Sequence, residues 1–191
     1  LHGSGCDSAD WDAVITNLPP GLRSICMDFR GHGASASPGQ DLSLDDLAGD
    51  VLALADHLDL RNTVLVGHSL GGLGAMTAAP RSSRVTALVL LEGWTSARAE
   101  AAYSGDRLYG GLDAPAIRRV EEKLESTRRR FGPRAWERLI ESCGGFDGAS
   151  YLRQARIPIV EVYGDLGRTP DTEKDLGIPP NSWISLQWIH G

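Results

Sequence analysis

Long hydrophobic runs and an excess of basic residues are both absent from this 191-residue sequence. The longest uninterrupted apolar runs, such as Ala87 to Leu91, are far shorter than the roughly 20 residues that a membrane-spanning helix needs. The sequence carries 19 Lys and Arg against 25 Asp and Glu, and its formal net charge of -6 provides no global field that would attract nucleic acid. We therefore expect a soluble globular chain with neither a nucleic-acid partner nor a membrane span.

Cysteine is scarce, and a starting Met is missing. Cys6, Cys26 and Cys143 are an odd set without the spacing of a metal site, which favours a reducing, cytoplasmic location and no bound metal. Cys26 lies in an apolar stretch, which predicts a small buried thiol. The sequence opens on Leu1-His2-Gly3 with no room for a strand before its first motif, so we expect a piece of a longer protein.

Short apolar runs alternate with helical patterns, which is typical of an α/β fold with a mostly parallel sheet. The crossover helix over 44–58 begins after Ser43, a favourable N-cap, and has acidic residues in its first turn. A shorter helix is predicted over 9–18. The predicted strands cover residues 24–29, 63–66, 85–91, 157–163 and 183–189.

The pattern changes between Gly93 and Ser150, where no strand candidate appears. Residues 116–131 and 133–143 predict two charged amphipathic helices separated by Gly132-Pro133. We interpret this region as a helical cap, so the chain divides into a first core part (1–92), the cap (93–150) and a second core part (151–191). The run Arg128-Arg129-Arg130 favours a solvated helix face, with an anchor for an acidic substrate as the alternative.

The strongest chemical motif is Gly67-His68-Ser69-Leu70-Gly71, which follows an apolar strand and precedes a helical stretch. This pattern is typical of a nucleophile elbow, a sharp strand-to-helix turn that exposes a serine hydroxyl. Glycine is needed at Gly67 and Gly71, because side chains there would collide with the neighbouring strand and helix. Ser69 then lies at a helix N-terminus, where the dipole and the N–H of Leu70 favour a developing oxyanion.

Two further motifs lie near the start of the chain, Leu1-His2-Gly3-Ser4-Gly5 and the loop from Asp28 to Ser35, which reads D-x-R-G-x-G-x-S. Together with the elbow they resemble the α/β-hydrolase family over nearly the whole chain outside the cap. In that family an HG pair ends a strand, and the next residue donates the second oxyanion N–H. The resemblance therefore implies an oxyanion hole formed by Ser4 and Leu70, and no catalytic role for His32.

The resemblance also implies the α/β-hydrolase fold, with crossover helices and a small helical cap, and with N-terminal strands and a C-terminal helix missing from this sequence. It places the strand that ends at Leu1 between the segments 24–29 and 63–66. Relatives that act as dehalogenases or epoxide hydrolases use an Asp nucleophile, so Ser69 argues against those activities.

A serine nucleophile needs a base, and the base needs an acid that orients it. The family's commoner acid is an Asp three residues past the Gly that ends the strand before the last, and this place falls on Gly167. Asp165 lies two positions earlier and remains a candidate. Glu92 ends the strand over 85–91, the other place where members of this fold put the acid. Both candidates stay open.

The identity of the base is also open between two readings. His190 follows the last apolar strand, roughly where the family places its base. The family pattern, however, puts the base three residues beyond a Gly, and Trp188-Ile189-His190-Gly191 fits only the start of that pattern. On this register the base lies beyond Gly191. His68 is the variable position of the elbow, and His57 is expected at the surface.

We interpret the sequence as a serine hydrolase that cleaves a small-molecule ester or related acyl substrate through an acyl-enzyme, without a cofactor. Alternatives are a ligand receptor or scaffold of the same fold and a cofactor-free lyase or perhydrolase. Aromatic and apolar cap residues could line an acyl pocket, and the candidates are Trp94, Tyr103, Leu108, Tyr109 and Trp136. Neither the substrate nor the oligomeric state follows from the sequence.

Overall fold

The computed structural model describes residues 1–97, 99–100, 112–165 and 170–190. Its centre is a four-stranded, fully parallel sheet in the order β1-β2-β3-β4. The strands are β1 (Thr63–His68), β2 (Val85–Leu91), β3 (Ile159–Gly164) and β4 (Ile184–Ile189). The α/β fold class is therefore confirmed, and four of the predicted strands occur near their expected positions.

The helices connect and cover these strands. The second helix begins as predicted after Ser43, whose side chain accepts a hydrogen bond from the Asp46 N–H in a capping box. The α-helices are α1 (Asp12–Thr16), α2 (Leu44–His57), α3 (Leu70–Ala78), α4 (Ala114–Phe131), α5 (Pro133–Gly144) and α6 (Gly148–Gln154). Short 3-10 helices cover Ser8–Trp11, Ala79–Arg81 and Pro170–Leu176. None of the helices in the described ranges is long and apolar enough to cross a membrane.

The hydrophobic core lies on the sheet face that α3 covers. Leu65, Leu88 and Ile159 occupy matching positions on β1, β2 and β3, and all three are buried on this face. The opposite face is more open, since Val64 is 50% exposed and Ile189 is 57% exposed. The near-continuous apolar character of β2 follows from its central position, because it pairs with β1 along its length and with β3 from Leu88 to Leu91.

The predicted strand over 24–29 is wrong, and so is the predicted burial of Cys26. The segment has no ladder hydrogen bonds, and both Ile25 and Cys26 are exposed. Leu1 pairs with β1, which is one of the two segments that the resemblance placed beside it: its amino group donates to Val66 O at 2.7 Å, and its carbonyl accepts from His68 N at 3.0 Å. A strand needs a partner along its length, and none of the described backbone-to-backbone hydrogen bonds involves residues 24–28.

The cap region is helical where the structure describes it. Helices α4 and α5 meet at Gly132, whose φ of 72° is in the left-handed region, so the predicted break at Gly132-Pro133 is confirmed. Helix α6 runs across residue 150, where the sequence placed the end of the cap. The division of the chain into three parts remains a prediction.

A carboxyl group is buried in the middle of β3. Glu161 has no exposed surface, and neither of its carboxylate oxygens has a hydrogen-bond partner among the described residues. Its strand neighbours are Leu90 on β2 and Leu186 on β4. Burial raises the pKa of Glu161 from 4.5 to about 8, so the side chain is mostly protonated at neutral pH.

The buried Glu161 predicts a loss of stability as the pH rises. Its folded pKa lies above the unfolded value, so the folded state binds more protons between pH 4.5 and about 8, and stability falls across this window. The full shift corresponds to about 5 kcal/mol as an order of magnitude. Glu161→Gln should remove this part of the pH dependence in urea unfolding measured at acidic, neutral and alkaline pH. The exposed Glu173→Gln is the control, and equal slopes for the two variants would contradict the prediction.

Candidate active site

Four candidate residues lie at one edge of the sheet. Ser69 follows β1, Glu92 follows β2, Asp165 follows β3 and His190 follows β4. Because the strands are parallel, all four are at the carboxyl edge, where open α/β sheets bind their ligands. The topology therefore collects residues that are far apart in the sequence.

Ser69 occupies a strained turn between β1 and α3. Its φ is 50° and its ψ is -116°, a conformation that residues with a side chain rarely adopt. Two backbone hydrogen bonds hold the turn. Ser69 N–H donates to Leu91 O on β2 at 3.0 Å, and Ser69 O accepts from Gly72 N at 2.8 Å. Helix α3 begins at Leu70, so the Leu70 N–H has no partner one turn back within the helix.

The glycines of the elbow allow a close approach of strand, helix and loop. A Cβ on Gly67 would overlap the carbonyl of Gly71, and a Cβ on Gly71 would overlap the carbonyl of Leu1. On the other side of the turn, a Cβ on Gly72 would lie 2.6 Å from the Cα of Gly93. These contacts agree with the steric reason for glycine that the sequence suggested.

The Gly3-Ser4 turn lies against the elbow. A Cβ built on Gly3 would be 2.9 Å from His68 Nδ1 and 3.3 Å from Ser69 Cβ. Ser4 follows in an exposed turn that is closed by the Cys6 N–H, which donates to Gly3 O at 3.1 Å. The backbone of Gly3 is therefore next to the Ser69 side chain, and Ser4 follows it directly in the chain.

The side chain of His2 is a structural element that the sequence analysis missed. It is buried, with Nδ1 2.8 Å from Gly3 O, and its Nε2 accepts a hydrogen bond from Phe29 N–H at 3.0 Å. These contacts require a neutral ring with the proton on Nδ1. Burial also lowers the pKa of His2, which favours the neutral form. The HG pair was the available signal, although we assigned it only a backbone role.

Glu92 also has a strained backbone, with a φ of 49°. Its N–H donates to Val162 O at 2.9 Å, which holds the residue at the junction of β2 and β3. A Cβ built on Gly164 would be 3.8 Å from Glu92 Oε1, so the carboxylate lies beside the end of β3. Burial lowers the pKa of His68, and the negative charge of Glu92 acts in the opposite direction.

Asp165 and His190 contact each other. His190 Nδ1 lies 2.6 Å from Asp165 Oδ2, and the Asp165 N–H donates to Ile189 O at 3.0 Å. A carboxylate at Nδ1 is the arrangement that orients a catalytic imidazole. The His190 side chain is, however, 83% exposed. Ser69 and His190 follow β1 and β4, which are separated by two strands, and a spacing of about 4.8 Å between neighbours puts their backbones about 14 Å apart.

Cysteine is not a rival nucleophile in this structure. Burial raises the pKa of the Cys6 thiol to about 11 and that of Cys143 to about 12, and it also raises the pKa of Cys26. Cys6 and Cys143 are therefore protonated at neutral pH, and the exposed Cys26, where desolvation is only partial, is shifted in the same direction, which makes the thiols poor nucleophiles. In the described ranges, no group of three or more His, Cys, Asp or Glu residues is arranged to bind a metal ion.

All three residues of the arginine run in the cap are exposed, as the preferred interpretation expected. Arg130 donates to the carbonyls of Gly33 and Ser35 at 2.5 Å and 2.6 Å, and the Arg128 guanidinium lies 5.2 Å from the ring centre of Trp136. The run is therefore exposed, and Arg130 in addition attaches the cap to the core.

Two of the proposed pocket aromatics have packing roles. Trp94 is buried against the ring of Tyr163, and Trp136 packs edge-on against Phe131. The other candidates, Tyr103, Leu108 and Tyr109, lie outside the described residues.

Known proteins share both sequence and fold with this chain. It is 39% identical over 115 residues to the "Dihydrolipoyllysine-residue acetyltransferase component of acetoin cleaving system" of Pseudomonas putida, which covers 60% of this chain and 30% of that protein. It is 41% identical over 93 residues to a non-heme haloperoxidase of Rhodococcus erythropolis, covering 47% of this chain and 34% of that protein. The matched segments thus span about a third of either relative.

Solved structures show the same fold at lower sequence identity. A thermophilic esterase from Thermogutta terrifontis superposes with a TM-score of 0.68 at 20% identity, covering 99% of this chain and 79% of the esterase. A family model described as alpha/beta hydrolase fold matches residues 1–186. The parallel sheet, the elbow at Ser69 and this match together lead to one conclusion: the chain belongs to the alpha/beta hydrolase fold family.

Proposed function

We propose that the protein is a serine hydrolase that cleaves a small-molecule ester or related acyl substrate through an acyl-enzyme. The observation that carries the proposal is the strained Ser69 at the N-terminus of α3, with the Gly3-Ser4 turn beside it. The thermophilic esterase with the same fold supports ester cleavage as a reaction that this fold can perform.

In the proposed reaction, Ser69 Oγ attacks the substrate carbonyl and its proton passes to a base. The N–H groups of Leu70 and Ser4 hold the oxyanion, and the dipole of α3 adds to this stabilisation. The carbonyl re-forms as the alcohol departs with the proton from the base. Water then attacks the acyl-enzyme by the same route and releases the acid and the serine hydroxyl.

We propose Glu92 as the acid that orients the base. Glu92 follows the strand adjacent to β1, and its φ of 49° is a strain that structures retain mainly at functional positions. Asp165 is the second candidate, because its carboxylate already contacts an imidazole nitrogen. The two candidates make different predictions, which we treat in the Discussion.

We propose that the base is a histidine other than His190. A general base must come within about 3 Å of the proton that it removes, and the backbone separation of about 14 Å that the strand spacing gives for Ser69 and His190 favours another histidine. The three cysteines without disulfide partners suit a cytoplasmic location, which we include in the proposal.

His190→Gln is therefore expected to leave ester turnover of the whole protein within about fivefold of the wild type, whereas loss of the base would cost at least about a thousandfold. The exposed His57→Gln on α2 is a matched control, because it also removes one solvent-facing imidazole. A thousandfold loss in His190→Gln alone would identify His190 as the base and overturn this part of the proposal.

Labelling by a fluorophosphonate tests the proposal directly. An activated Ser69 should form a covalent adduct that mass spectrometry locates in the peptide containing residues 67–71, and the same protein should hydrolyse a short-chain nitrophenyl ester. Adduct formation without turnover of several ester classes would favour a lyase or perhydrolase that uses the same residues. Absence of both would favour a receptor of the same fold.

A further inference from the structure

One face of helix α4 contacts the core. Lys123, Leu124, Thr127, Arg130 and Phe131 recur at intervals of three and four, so they lie on the same side of the helix. Thr127 and Phe131 are buried, although most of the helix is exposed. We call residues 2–10 of the core the oxyanion segment, since it contains Ser4.

The middle of α4 lies directly on the oxyanion segment. A Cβ built on Gly5 would be 3.0 Å from the Cα and 3.1 Å from the backbone nitrogen of Leu124, so the helix backbone touches the residue after Ser4. The neighbouring Lys123 Nζ lies 2.7 Å from Asp10 Oδ1 and 3.6 Å from Asp7 Oδ2. These contacts hold the part of the oxyanion segment that follows Ser4 in the chain.

The C-terminal end of α4 reaches the same segment through a series of rings that pack against one another. Phe131 covers Gly31, and its ring packs edge-on against His32 with centres 5.2 Å apart. His32 in turn packs against His2 with centres 4.7 Å apart. His2 Nδ1 is hydrogen-bonded to Gly3 O, so this second set of contacts ends at the part of the oxyanion segment that precedes Ser4.

We propose that helix α4 positions the oxyanion segment, with Lys123 and Phe131 as positioning residues that place the Ser4 N–H for catalysis. This inference rests on the proposed function. Full negative charge on the substrate oxygen develops only in the transition state, so a displaced Ser4 N–H slows the chemical step more than it weakens substrate binding. The cap then contributes to catalysis as well as to covering the site.

The test compares two ion pairs that join the cap to the core. Lys123→Met removes the pair with Asp10 and keeps the aliphatic stem. Arg134→Met removes the pair between α5 and Asp41, where the guanidinium and carboxylate are 3.2 Å apart, and it does not touch the oxyanion segment. Both are measured in the whole protein with a nitrophenyl ester, and fluorophosphonate titration of the wild type first establishes that Ser69 reacts.

We expect Lys123→Met to lower kcat about tenfold, with KM within about twofold, because a displacement of about 1 Å can cost up to a hundredfold in rate. Lys123→Arg keeps the positive charge and should have a kcat close to that of the wild type. Arg134→Met should change neither kcat nor KM. Phe131→Leu, which loosens the other end of the helix, should also reduce kcat. Amide hydrogen exchange in residues 3–10 should be faster in Lys123→Met and Phe131→Leu than in Arg134→Met.

Equal kcat for Lys123→Met and Arg134→Met, or a loss in Lys123→Met that appears only in KM, would overturn the positioning role. Exchange in residues 3–10 that is the same in all three variants would do so as well. If the wild-type protein instead shows no reactive Ser69, the proposed function itself fails. The hydrogen-exchange comparison still reports on the contact between α4 and the oxyanion segment in that case.

Discussion

Replacing Ser69 with alanine is expected to lower ester turnover of the whole protein by at least about a thousandfold. Nucleophile and base act as a unit, so loss of the hydroxyl leaves only the contribution of the oxyanion hole and of substrate binding. The backbone of the elbow imposes the strained conformation at position 69, and alanine has the same Cβ, so the turn should persist.

The measurement is kcat/KM for a nitrophenyl ester, with thermal unfolding to show that the fold is intact. Ser83→Ala is a suitable control, because Ser83 is exposed in the turn before β2, at the opposite edge of the sheet from Ser69. Its turnover should match the wild type. Retention of most activity by Ser69→Ala would contradict the central proposal, because no other described residue occupies an elbow.

The second large effect is expected at the acid. Glu92→Gln should reduce kcat by about ten thousandfold, as expected when a base loses the carboxylate that holds its tautomer and stabilises the imidazolium. Asp165→Asn should reduce kcat by less than about tenfold, because the His190 imidazole that its carboxylate contacts is exposed. Each substitution replaces a carboxylate with an amide of the same shape, so each serves as the control for the other.

The reverse order of these effects would assign the acid to Asp165 and would make His190 a candidate for the base again. Two mild effects would mean that neither carboxylate orients a base. Measuring kcat across pH adds a further distinction, since loss of the true acid should shift the titration of the base in the enzyme–substrate complex.

Local features of the fold were well predicted because they depend on neighbours in the sequence. Strand β2 has the predicted bounds, Val85–Leu91, and α2 begins after its N-cap Ser43. The elbow was predicted as well, because its motif lies within five consecutive residues, although Gly71 also makes room for the distant Leu1 carbonyl. Apolar periodicity, capping residues and turn glycines are all properties of short segments.

Other features were missed because they depend on pairing between distant segments. The segment 24–29 has the composition of a strand, but strand formation needs a ladder partner. Glu161 stands within a strand pattern, and only the packing of the sheet shows that its carboxyl has no exposed surface. The contact of Arg130 with the carbonyls of Gly33 and Ser35 was not predicted, because these two residues lie almost a hundred residues earlier in the chain.

Short sequence patterns were enough to predict the fold class, the parallel sheet and the position of the candidate nucleophile, since each is encoded in residues that are close together. Which side chains meet at the carboxyl edge depends on tertiary packing. This packing placed Asp165 against His190, Glu92 beside the end of β3 and His2 beneath the Ser4 turn. Contacts of this kind depend on how strands and helices stack, because a one-strand change in the order of the sheet would move each side chain by about 5 Å. Local sequence patterns do not contain that order.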